Sequence, residues 1–568
     1  MSVKSPYLDF KDAKCKDCFK CLRECPVKAI RYENHQAKII EQRCILCGRC
    51  TLVCPQNAKQ VHSETESVLA LLASGKKVVA SIAPSFVSSF AVQDLGVMAE
   101  ALARLGFAET EETAAGAKAV TEEYAGLLRT GSFKNFITSA CPAVNRLIQT
   151  YYPGALKYLA PVPSPMVAHA RMIKKRDPDA AIVFIGPCIA KKREAAESGI
   201  IDGVLTFEEL NVIFKHKNID LCRIEAEMNA DGGALRARYY PIPRGIIKSF
   251  DSLPQGYEYV AVDGVGRCCE VLEEIDSLSG LFLEMNCCEH ACIGGPCRLP
   301  GKGGTIKANE DVRKYASKGS APLSVSAEGV DLTEKHPRII LDDFVPSESD
   351  IRAVLAKTGK NSPEDELNCG ACGYSTCREK AIAVLNGYAD IEMCLPYMRS
   401  RAESMSYEII QNTPNGIVLM TDDFRIIDIN TRAMKLLGVT EHDVRGMLAF
   451  DCFDCEEFIN AATRGRNVSK KRVFVNRTKK YIELSIVLLQ EHKVLFGVMK
   501  DITDSVEYDE KLNAVKLETL ATTDEVIKKQ MRVAQEIASL LGETTAETKV
   551  ALNKLKQTLA PRTEDGED

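Results

Sequence analysis

Cysteine spacing constrains this chain more than any other feature of its sequence. Of its 23 cysteines, eight fall in two runs of identical spacing near the amino terminus. The runs are Cys15-x2-Cys18-x2-Cys21-x3-Cys25-Pro26 and Cys44-x2-Cys47-x2-Cys50-x3-Cys54-Pro55. Such spacing gathers several thiols around one point, and a chain without an export signal is not expected to use them in disulfides. The cysteines are therefore predicted to bind metal.

The rest of the composition excludes several classes of protein. A chain of 568 residues, 45% of them hydrophobic, is long enough for about four domains. The formal net charge of −5 and the pI near 6.1 give no reason to expect a nucleic acid or an anionic membrane as partner. No apolar run approaches the roughly 20 residues of a membrane span, and the first residues, MSVKSPYLDFKDAK, contain no apolar signal core. We therefore expect a cytoplasmic protein.

The two amino-terminal runs resemble those of bacterial two-cluster ferredoxins. In that family the fourth cysteine of each run ligates the other cluster, and the proline ends the ligand loop. The resemblance implies one [4Fe–4S] cluster on Cys15, Cys18, Cys21 and Cys54, and a second on Cys44, Cys47, Cys50 and Cys25. Zinc is the alternative metal, because it also binds paired cysteines. The implied role of residues 1–65 is electron transfer.

Residues 66–350 have the pattern of an α/β domain. Short apolar runs alternate with amphipathic stretches, which predicts βαβ units and a parallel sheet. These runs are KKVVASIAP (76–84), NFITSACP (135–142), AIVFIGPC (181–188) and YEYVAVDGVG (257–266). Because ligands bind at the carboxyl ends of strands in such sheets, the cysteines after these runs are predicted to line a buried site.

Three cysteine motifs in this domain resemble the signatures of the [FeFe] hydrogenases, in the family's order. They are TSACPA (138–143), GPCIAKKRE (186–194) and EMNCCEHACIGG (284–295). The resemblance covers roughly residues 1–300. It implies a doubly wound α/β domain that holds an H-cluster, which is a [4Fe–4S] cubane joined to a diiron subsite with CO, CN and a bridging dithiolate.

The family resemblance also implies residue roles. Cys141, Cys188, Cys288 and Cys292 would hold the cubane, and Cys292 would bridge it to the diiron subsite. Lys191 matches the lysine that donates a hydrogen bond to a cyanide ligand, and Glu194 matches the glutamate that orients it. Ala83 and Pro84 match residues that pack over the distal iron. The alternative is a domain that holds only a cubane.

The sequence departs from the family along the proton path. Efficient members have a cysteine just before the first ligand, and here that position is Ala140. Glu123 keeps the next group, whereas Ala160 and Gly126 replace a serine and an outer glutamate. Gly186 and Asn286 stand where the family has methionines, and Val144 stands where it has tryptophan. Turnover is therefore expected to be low, because positioned proton transfer contributes about 10²–10⁴-fold.

The neighbours of Cys288 offer a hypothetical replacement for that path. Cys287 and Glu289, with His290, flank this ligand and could carry protons, and the alternative is that they only pack around the site.

A further cysteine cluster and a change of pattern follow. Cys369-x2-Cys372-x4-Cys377-x16-Cys394 resembles a four-cysteine [4Fe–4S] module, with zinc again as the alternative. The segment IIQNTPNGIVLMTDD and the later FGVMKDITD resemble the opening and close of a PAS domain. Within it, Cys452 and Cys455 form a CxxC pair that fits either ordinary thiols or a redox or metal role.

These interpretations predict a multidomain α/β and α+β chain. The segments are 1–65 (two-cluster ferredoxin-type domain), 66–350 (H-cluster domain), 351–400 ([4Fe–4S] module, entered through a polar linker at 357–368), 401–505 (PAS domain), 506–560 (signalling or coiled-coil helix) and 561–568 (disordered tail).

The predicted function is a sensory [FeFe] hydrogenase that slowly and reversibly oxidises H2 and signals through the PAS domain. The rivals are a metabolic hydrogenase that exchanges electrons with ferredoxin, and a non-catalytic iron–sulfur carrier or scaffold. The expected partners are H2, protons, a redox partner such as ferredoxin, a separate kinase or phosphatase, and a second copy of the chain.

Overall fold

The computed structural model describes residues 5–10, 15–33, 36–90, 92–224, 236–299, 304–317, 326–439, 444–541 and 546–559. The predicted tail, 561–568, lies outside these residues. The chain divides into two compact units, Met1–Met398 and Arg399–Asp568. Within the described ranges, no helix combines the length and the apolar character that a membrane crossing requires.

The amino-terminal part of the first unit is built from two similar halves, each with a short helix inside its cysteine run. Its strands form two antiparallel pairs, β1 with β4 and β2 with β3. The elements are β1 (Leu8–Phe10), α1 (Lys20–Arg23), β2 (Ile30–Glu33), β3 (Gln36–Ile39), α2 (Arg49–Leu52) and β4 (Lys59–Val61).

The α/β part of the first unit follows. Its strands are β5 (Val78–Ile82), β6 (Glu109–Glu112), β7 (Phe136–Ile137), β8 (Ala181–Gly186), β9 (Gly203–Thr206), β10 (Glu258–Asp263) and β11 (Leu281–Asn286). Its helices are α3 (Thr65–Ala73), α4 (Phe86–Ser89), α5 (Leu95–Ala103), α6 (Ala114–Arg129), α7 (Pro142–Tyr151), α8 (Pro165–Arg176), α9 (Ala190–Ser198), α10 (Phe207–His216), α11 (Gly245–Ser249), α12 (Val265–Glu274) and α13 (Thr305–Ser317).

The strands of this part form two parallel sheets, with orders β6-β5-β8-β9 and β10-β11-β7. Strand β8 is buried along its whole length, as its unbroken apolar sequence requires in a sheet covered on both faces. Pro142 and Pro165 open α7 and α8 at the first turn, where a missing N–H costs nothing. The predicted parallel α/β architecture is confirmed.

The last part of the first unit contains α14 (Glu348–Lys357) and α15 (Cys377–Leu385), which pack together through Ile351, Leu355 and Ala381. The polar stretch 357–368 is not a free linker, because Thr358 and Lys360 are buried against this module. Helix α16 (Leu395–Asn412) follows.

The second unit contains a five-stranded antiparallel sheet in the order β13-β12-β16-β15-β14. Its strands are β12 (Gly416–Thr421), β13 (Ile426–Ile429), β14 (Val468–Val475), β15 (Lys480–Leu489) and β16 (Val494–Asp501). Its helices are α17 (Thr431–Leu437), α18 (Ala449–Cys452), α19 (Glu456–Arg464), α20 (Thr503–Leu541) and α21 (Ala546–Leu559). The predicted antiparallel α/β domain and the helical region after it are confirmed.

The CxxC pair of the second unit lies in its hydrophobic core. Cys452 and Cys455 are both buried, among residues that include Phe453 and Phe458.

Candidate active site

The three cysteine motifs of the α/β part meet at strand ends. Cys141 follows β7, Cys188 follows β8, and Cys288 follows β11, so the two sheets each deliver ligands to the same place. These three thiols and Cys292 line one cavity of about 860 Å³. The carboxyl ends of parallel strands are the usual position of a ligand site in such folds.

The cavity holds its cysteines in different electrostatic settings. Hydrogen bonds from the thiol and the backbone N–H of Cys287, which outweigh burial, lower the pKa of Cys141 to about 6. Burial raises the pKa of Cys188 to about 11. Four thiols around one space form the donor set that an iron–sulfur cubane requires.

One buried cation faces the cavity. Lys191 lines the wall, and its Nζ donates to Glu194 Oε2 at 2.6 Å and to Ser164 Oγ at 2.8 Å. Burial of an ammonium group is costly unless it is paired and hydrogen-bonded, and both conditions are met here. Lys191 is thus fixed in one position at the cavity, with Glu194 on its far side.

The wall contains an orphan hydroxyl that fits a missing ligand. Ser85 lines the cavity beside Ala83 and Pro84, and its buried Oγ has no hydrogen-bond partner among the described residues. Buried polar groups are nearly always paired. Together with four thiols and Lys191, this unpaired hydroxyl shows that the cavity fits a polar, cysteine-bound cofactor.

Two of the positions that depart from the family pattern also lie at this wall. Ala140 and Asn286 line the cavity, and Asn286 Nδ2 donates to Asp263 Oδ1 at 3.2 Å. At Gly186 an added Cβ would lie 2.7 Å from the ring of Phe184, which itself lines the cavity. Phe184 therefore occupies the space that a longer side chain at 186 would need.

Three residues predicted to transfer protons lie away from the cavity wall. Glu123 is on the exposed side of α6, whereas its neighbour Tyr124 is buried. Cys287 is buried behind the ligands, against Cys141. Glu289 is about half exposed and pairs with Arg267 at 2.8 Å and Arg49 at 3.6 Å.

A second cavity, of about 490 Å³, gathers thiols from both amino-terminal runs. Its walls include Cys15, Cys18 and Cys21 from the first run and Cys54 from the second. This is the grouping that the resemblance to two-cluster ferredoxins implies for the first cluster.

The remaining thiols of the two runs lie deeper, beside the first cavity. Charge interactions link Cys47 with Cys25 and Cys44, and also with Cys141. The backbone N–H groups of Ala29 and Leu46 donate to the sulfurs of Cys25 and Cys44, each at 3.4 Å. The second run therefore brings its thiols next to the cysteines of the α/β part.

A third cavity, of about 480 Å³, is lined by Cys369, Cys372, Cys377 and Cys394. Two lysines that we did not single out from the sequence are buried in its wall. Lys360 Nζ lies 3.5 Å from Cys394 Sγ, and charge interactions link Lys380 with Cys372 and Cys394. Within the described ranges, no three His, Cys, Asp or Glu side chains lie close enough together to bind one metal ion.

The third cavity adjoins the amino-terminal domain. Arg23 donates to the carbonyl oxygen of Ala371 at 3.1 Å, and Gly373 lies against Leu22. Lys28 interacts electrostatically with both Cys25 and Cys372. The three cysteine-lined sites of the first unit are therefore neighbours.

Family models match four parts of the chain. They describe the C-terminal domain of the iron-only hydrogenase large subunit (76–296), a 4Fe-4S dicluster domain (14–58), an Fe-S cluster domain (365–396) and a PAS domain (414–504).

Relatives with curated names agree with the first of these matches. The periplasmic [Fe] hydrogenase large subunit of Nitratidesulfovibrio vulgaris is 32% identical over 253 residues, which cover 38% of this chain and 60% of that protein. Iron hydrogenase 1 of Clostridium pasteurianum is 29% identical over 255 residues, covering 37% and 44%. The chain thus spans 60% or less of the length of these relatives.

A solved [FeFe]-hydrogenase from Chlamydomonas reinhardtii matches with 18% identity and a TM-score of 0.36, covering 46% of this chain and 91% of that one. Residues 76–296 thus match the C-terminal domain of the iron-only hydrogenase large subunit, and the same chain also contains segments that match 4Fe–4S domains and a PAS domain.

Proposed function

We propose that the chain is a sensory [FeFe] hydrogenase, which binds H2 and slowly and reversibly oxidises it to protons and electrons. The observation that carries this proposal is the cavity where four cysteines from three motifs meet beside Lys191. Ala140 in the same wall supports slow turnover, because a methyl group cannot pass protons where efficient relatives have a thiol.

The proposed ligands of the H-cluster are Cys141, Cys188, Cys288 and Cys292, with Cys292 also bridging to the diiron subsite. When bound, this cofactor supplies the open iron position at which H2 is split. Lys191 donates a hydrogen bond towards the cofactor, and Glu194 holds its ammonium group in place. Ser85 offers a further donor, and Ala83 and Pro84 close the apolar side of the cavity.

Electrons are proposed to leave through the cysteine-lined sites. The thiols of the second run are next to Cys141, so the cluster they hold would be the first acceptor. From there, electrons reach the cluster of Cys15, Cys18, Cys21 and Cys54, or the cluster of Cys369, Cys372, Cys377 and Cys394. A redox partner such as ferredoxin would exchange electrons with the outer clusters.

The PAS domain is proposed to convert the redox state of the clusters into a signal. Helix α20, which directly follows the last strand of the PAS sheet, is the proposed output element. A separate kinase or phosphatase would receive the signal, and we propose a homodimer in the cytoplasm.

Infrared spectroscopy of the cubane-loaded protein, after addition of the diiron cofactor, tests the proposal. We expect cyanide and carbonyl bands that shift under H2, with H2 turnover far below that of efficient hydrogenases. Cys188→Ala should lose the bands. Cys297→Ala should keep them, because Cys297 is buried but does not line the cavity.

Other outcomes point to the rival functions. Shifting bands with rapid turnover would identify a metabolic hydrogenase that exchanges electrons with ferredoxin. A wild-type protein that never acquires the bands would leave an iron–sulfur electron carrier or scaffold.

A further inference from the structure

A row of four buried polar side chains runs away from the active-site cavity. Thr113 lines the cavity, and its Oγ1 lies 2.8 Å from Ser81 Oγ. The same Ser81 Oγ lies 2.8 Å from His169 Nδ1. On the other side of the imidazole ring, His169 Nε2 lies 3.0 Å from Glu111 Oε2. Each group in the row is within hydrogen-bond distance of the next.

The row ends at the protein surface. Glu111 Oε1 accepts a hydrogen bond from the guanidinium of Arg176 at 2.5 Å. Glu111 also lines a solvent-open depression of about 800 Å³, whose other walls are Lys77, Glu109, Thr110, Arg176 and Asp177. One end of the row therefore meets the cofactor cavity and the other end meets water.

Burial isolates the row from solvent between its two ends. His169 is fully buried, Ser81 is 1% exposed, and Thr113 and Glu111 are each 6% exposed. Burying four polar groups where apolar residues could pack is unfavourable unless each is hydrogen-bonded. The four side chains meet this condition because each is within hydrogen-bond distance of the next, and Glu111 is also bonded to Arg176.

The ionised end of the row sets the direction of its hydrogen bonds. Burial alone would raise the pKa of Glu111, but hydrogen bonds and charges from His169 and Arg176 hold it at about 2. A carboxylate can only accept, so His169 Nε2 carries a proton and donates to Glu111. When His169 is neutral, its Nδ1 accepts from Ser81 and Ser81 accepts from Thr113, so every donor then points from the cavity towards the surface.

We propose that Thr113, Ser81, His169 and Glu111 carry protons between the active-site cavity and solvent. This inference rests on the proposed function and names a route that replaces the one interrupted at Ala140.

The transfer conserves protons at every link. A proton released from H2 binds Thr113 Oγ1, whose own hydroxyl proton passes to Ser81. The Ser81 proton passes to His169 Nδ1, and the Nε2 proton passes to Glu111 and then to water. Each H2 yields two protons and two electrons, and the electrons leave through the cubanes. The second proton follows after the row resets, when the hydroxyls rotate back and the ring proton of His169 returns from Nδ1 to Nε2.

Substitutions that remove one hydroxyl group or one negative charge test the row. We expect Thr113→Val, Ser81→Ala and Glu111→Gln each to lower H2 turnover at least tenfold and to increase the slowing in D2O. The matched controls are Thr121→Val and Ser249→Ala, which remove buried hydroxyls whose hydrogen-bond partners lie outside the row. We expect the controls to stay within twofold of wild type. Iron content and the thermal midpoint check that each variant folds.

Proton exchange at His169 provides a readout that does not depend on turnover. In the full chain with cubanes but no diiron cofactor, selective ¹⁵N-histidine NMR measures exchange of the Nε2 proton with water. We expect exchange in the wild type, at least tenfold slower exchange in Glu111→Gln, and wild-type exchange in Thr113→Val. A merely structural role for Glu111 would not separate these two variants.

The outcomes separate this inference from the proposed function. Turnover in Thr113→Val and Ser81→Ala equal to that of the controls would overturn the relay and leave the hydrogenase proposal standing. Absence of H2-dependent infrared bands in the wild type would overturn the hydrogenase proposal, and the NMR experiment would still decide whether the row conducts protons. A His169 proton that never exchanges in the wild type would also overturn the relay.

Discussion

At the scale of residues, the active-site cavity combines groups that the sequence identified with groups that it could not. The four cysteines of the cavity, Lys191 and Ala140 could be singled out because they lie in contiguous motifs, and all of them line the cavity. Ser81, Glu111 and His169 are far apart in the sequence and carry no motif, so only the folded chain brings them together. Glu123 aligns with a proton-transfer residue, but it lies on the exposed side of α6 while its neighbour Tyr124 is buried. One position along a helix turns a side chain to another face, and sequence alone does not fix that face.

Glu111 gives a pH-dependent prediction. Its folded-state pKa of about 2 lies below its ordinary value near 4.5, so it stabilises the fold above pH 4.5 and this contribution is lost as the pH falls towards 2. We expect the free energy of unfolding of the wild type, measured by denaturant titration, to fall between pH 5 and 2 by about 3 kcal/mol more than that of Glu111→Gln. Glu122→Gln, at an exposed position on α6, controls for the loss of one carboxylate. Parallel curves for the wild type and Glu111→Gln would contradict this.

At the scale of elements, sequence patterns located four of the seven strands of the α/β part but not the sheets to which they belong. The runs at 76–84, 181–188 and 257–266 contain β5, β8 and β10, because long apolar stretches favour buried parallel strands. The run at 135–142 contributes only the two residues of β7, which a pattern cannot distinguish from a loop. That the strands divide between two sheets depends on pairings between distant segments, which local periodicity does not encode.

The contact between α2 and the hydrogenase domain can be tested with one glycine. Gly48 has φ +72°, and an added Cβ would lie 2.5 Å from Pro296. Gly75 has φ +79° and nothing within 4 Å, so it is a matched control. We expect both alanine variants to lose about 1 kcal/mol from the positive φ. Only Gly48→Ala should also lose iron and slow the reduction of the amino-terminal clusters by H2, followed by electron paramagnetic resonance. Equal behaviour of the two variants would argue against tight docking there.

The lysines of the third cavity should tune its cluster. A reduced cluster carries one more negative charge, so the buried ammonium of Lys360 beside Cys394 stabilises it. We expect Lys360→Met to lower the reduced-to-oxidised ratio at least tenfold at the wild-type midpoint, which is a shift of about 59 mV for one electron. Lys357→Met, at an exposed position on α14, is the control in the same spectroscopic titration. An unchanged midpoint in Lys360→Met would show that this charge does not act on the cluster.

At the scale of the whole molecule, the chain divides into two compact units, so the proposed catalysis and the proposed signalling can be followed in different residues. The cavity lies in Met1–Met398 and the PAS sheet in Arg399–Asp568. If the chain is a sensor, H2 should change hydrogen-exchange protection of residues 416–541 by at least twofold in the loaded wild type. The change should be absent in Cys188→Ala, which cannot complete the proposed cubane. Equal protection with and without H2 in the loaded wild type would favour the metabolic rival.

The shared wall of the second cavity has a consequence for assembly. Cys54 lies with Cys15, Cys18 and Cys21, although 32 residues, among them the other three cysteines of the second run, separate it from Cys21. A cluster bound there closes the intervening chain into a ring, and the thiols of the second run lie within that ring. Metal loading and folding of this domain are then a single cooperative event. When iron is scarce, the population should divide between fully loaded and metal-free molecules, with few half-loaded ones between them.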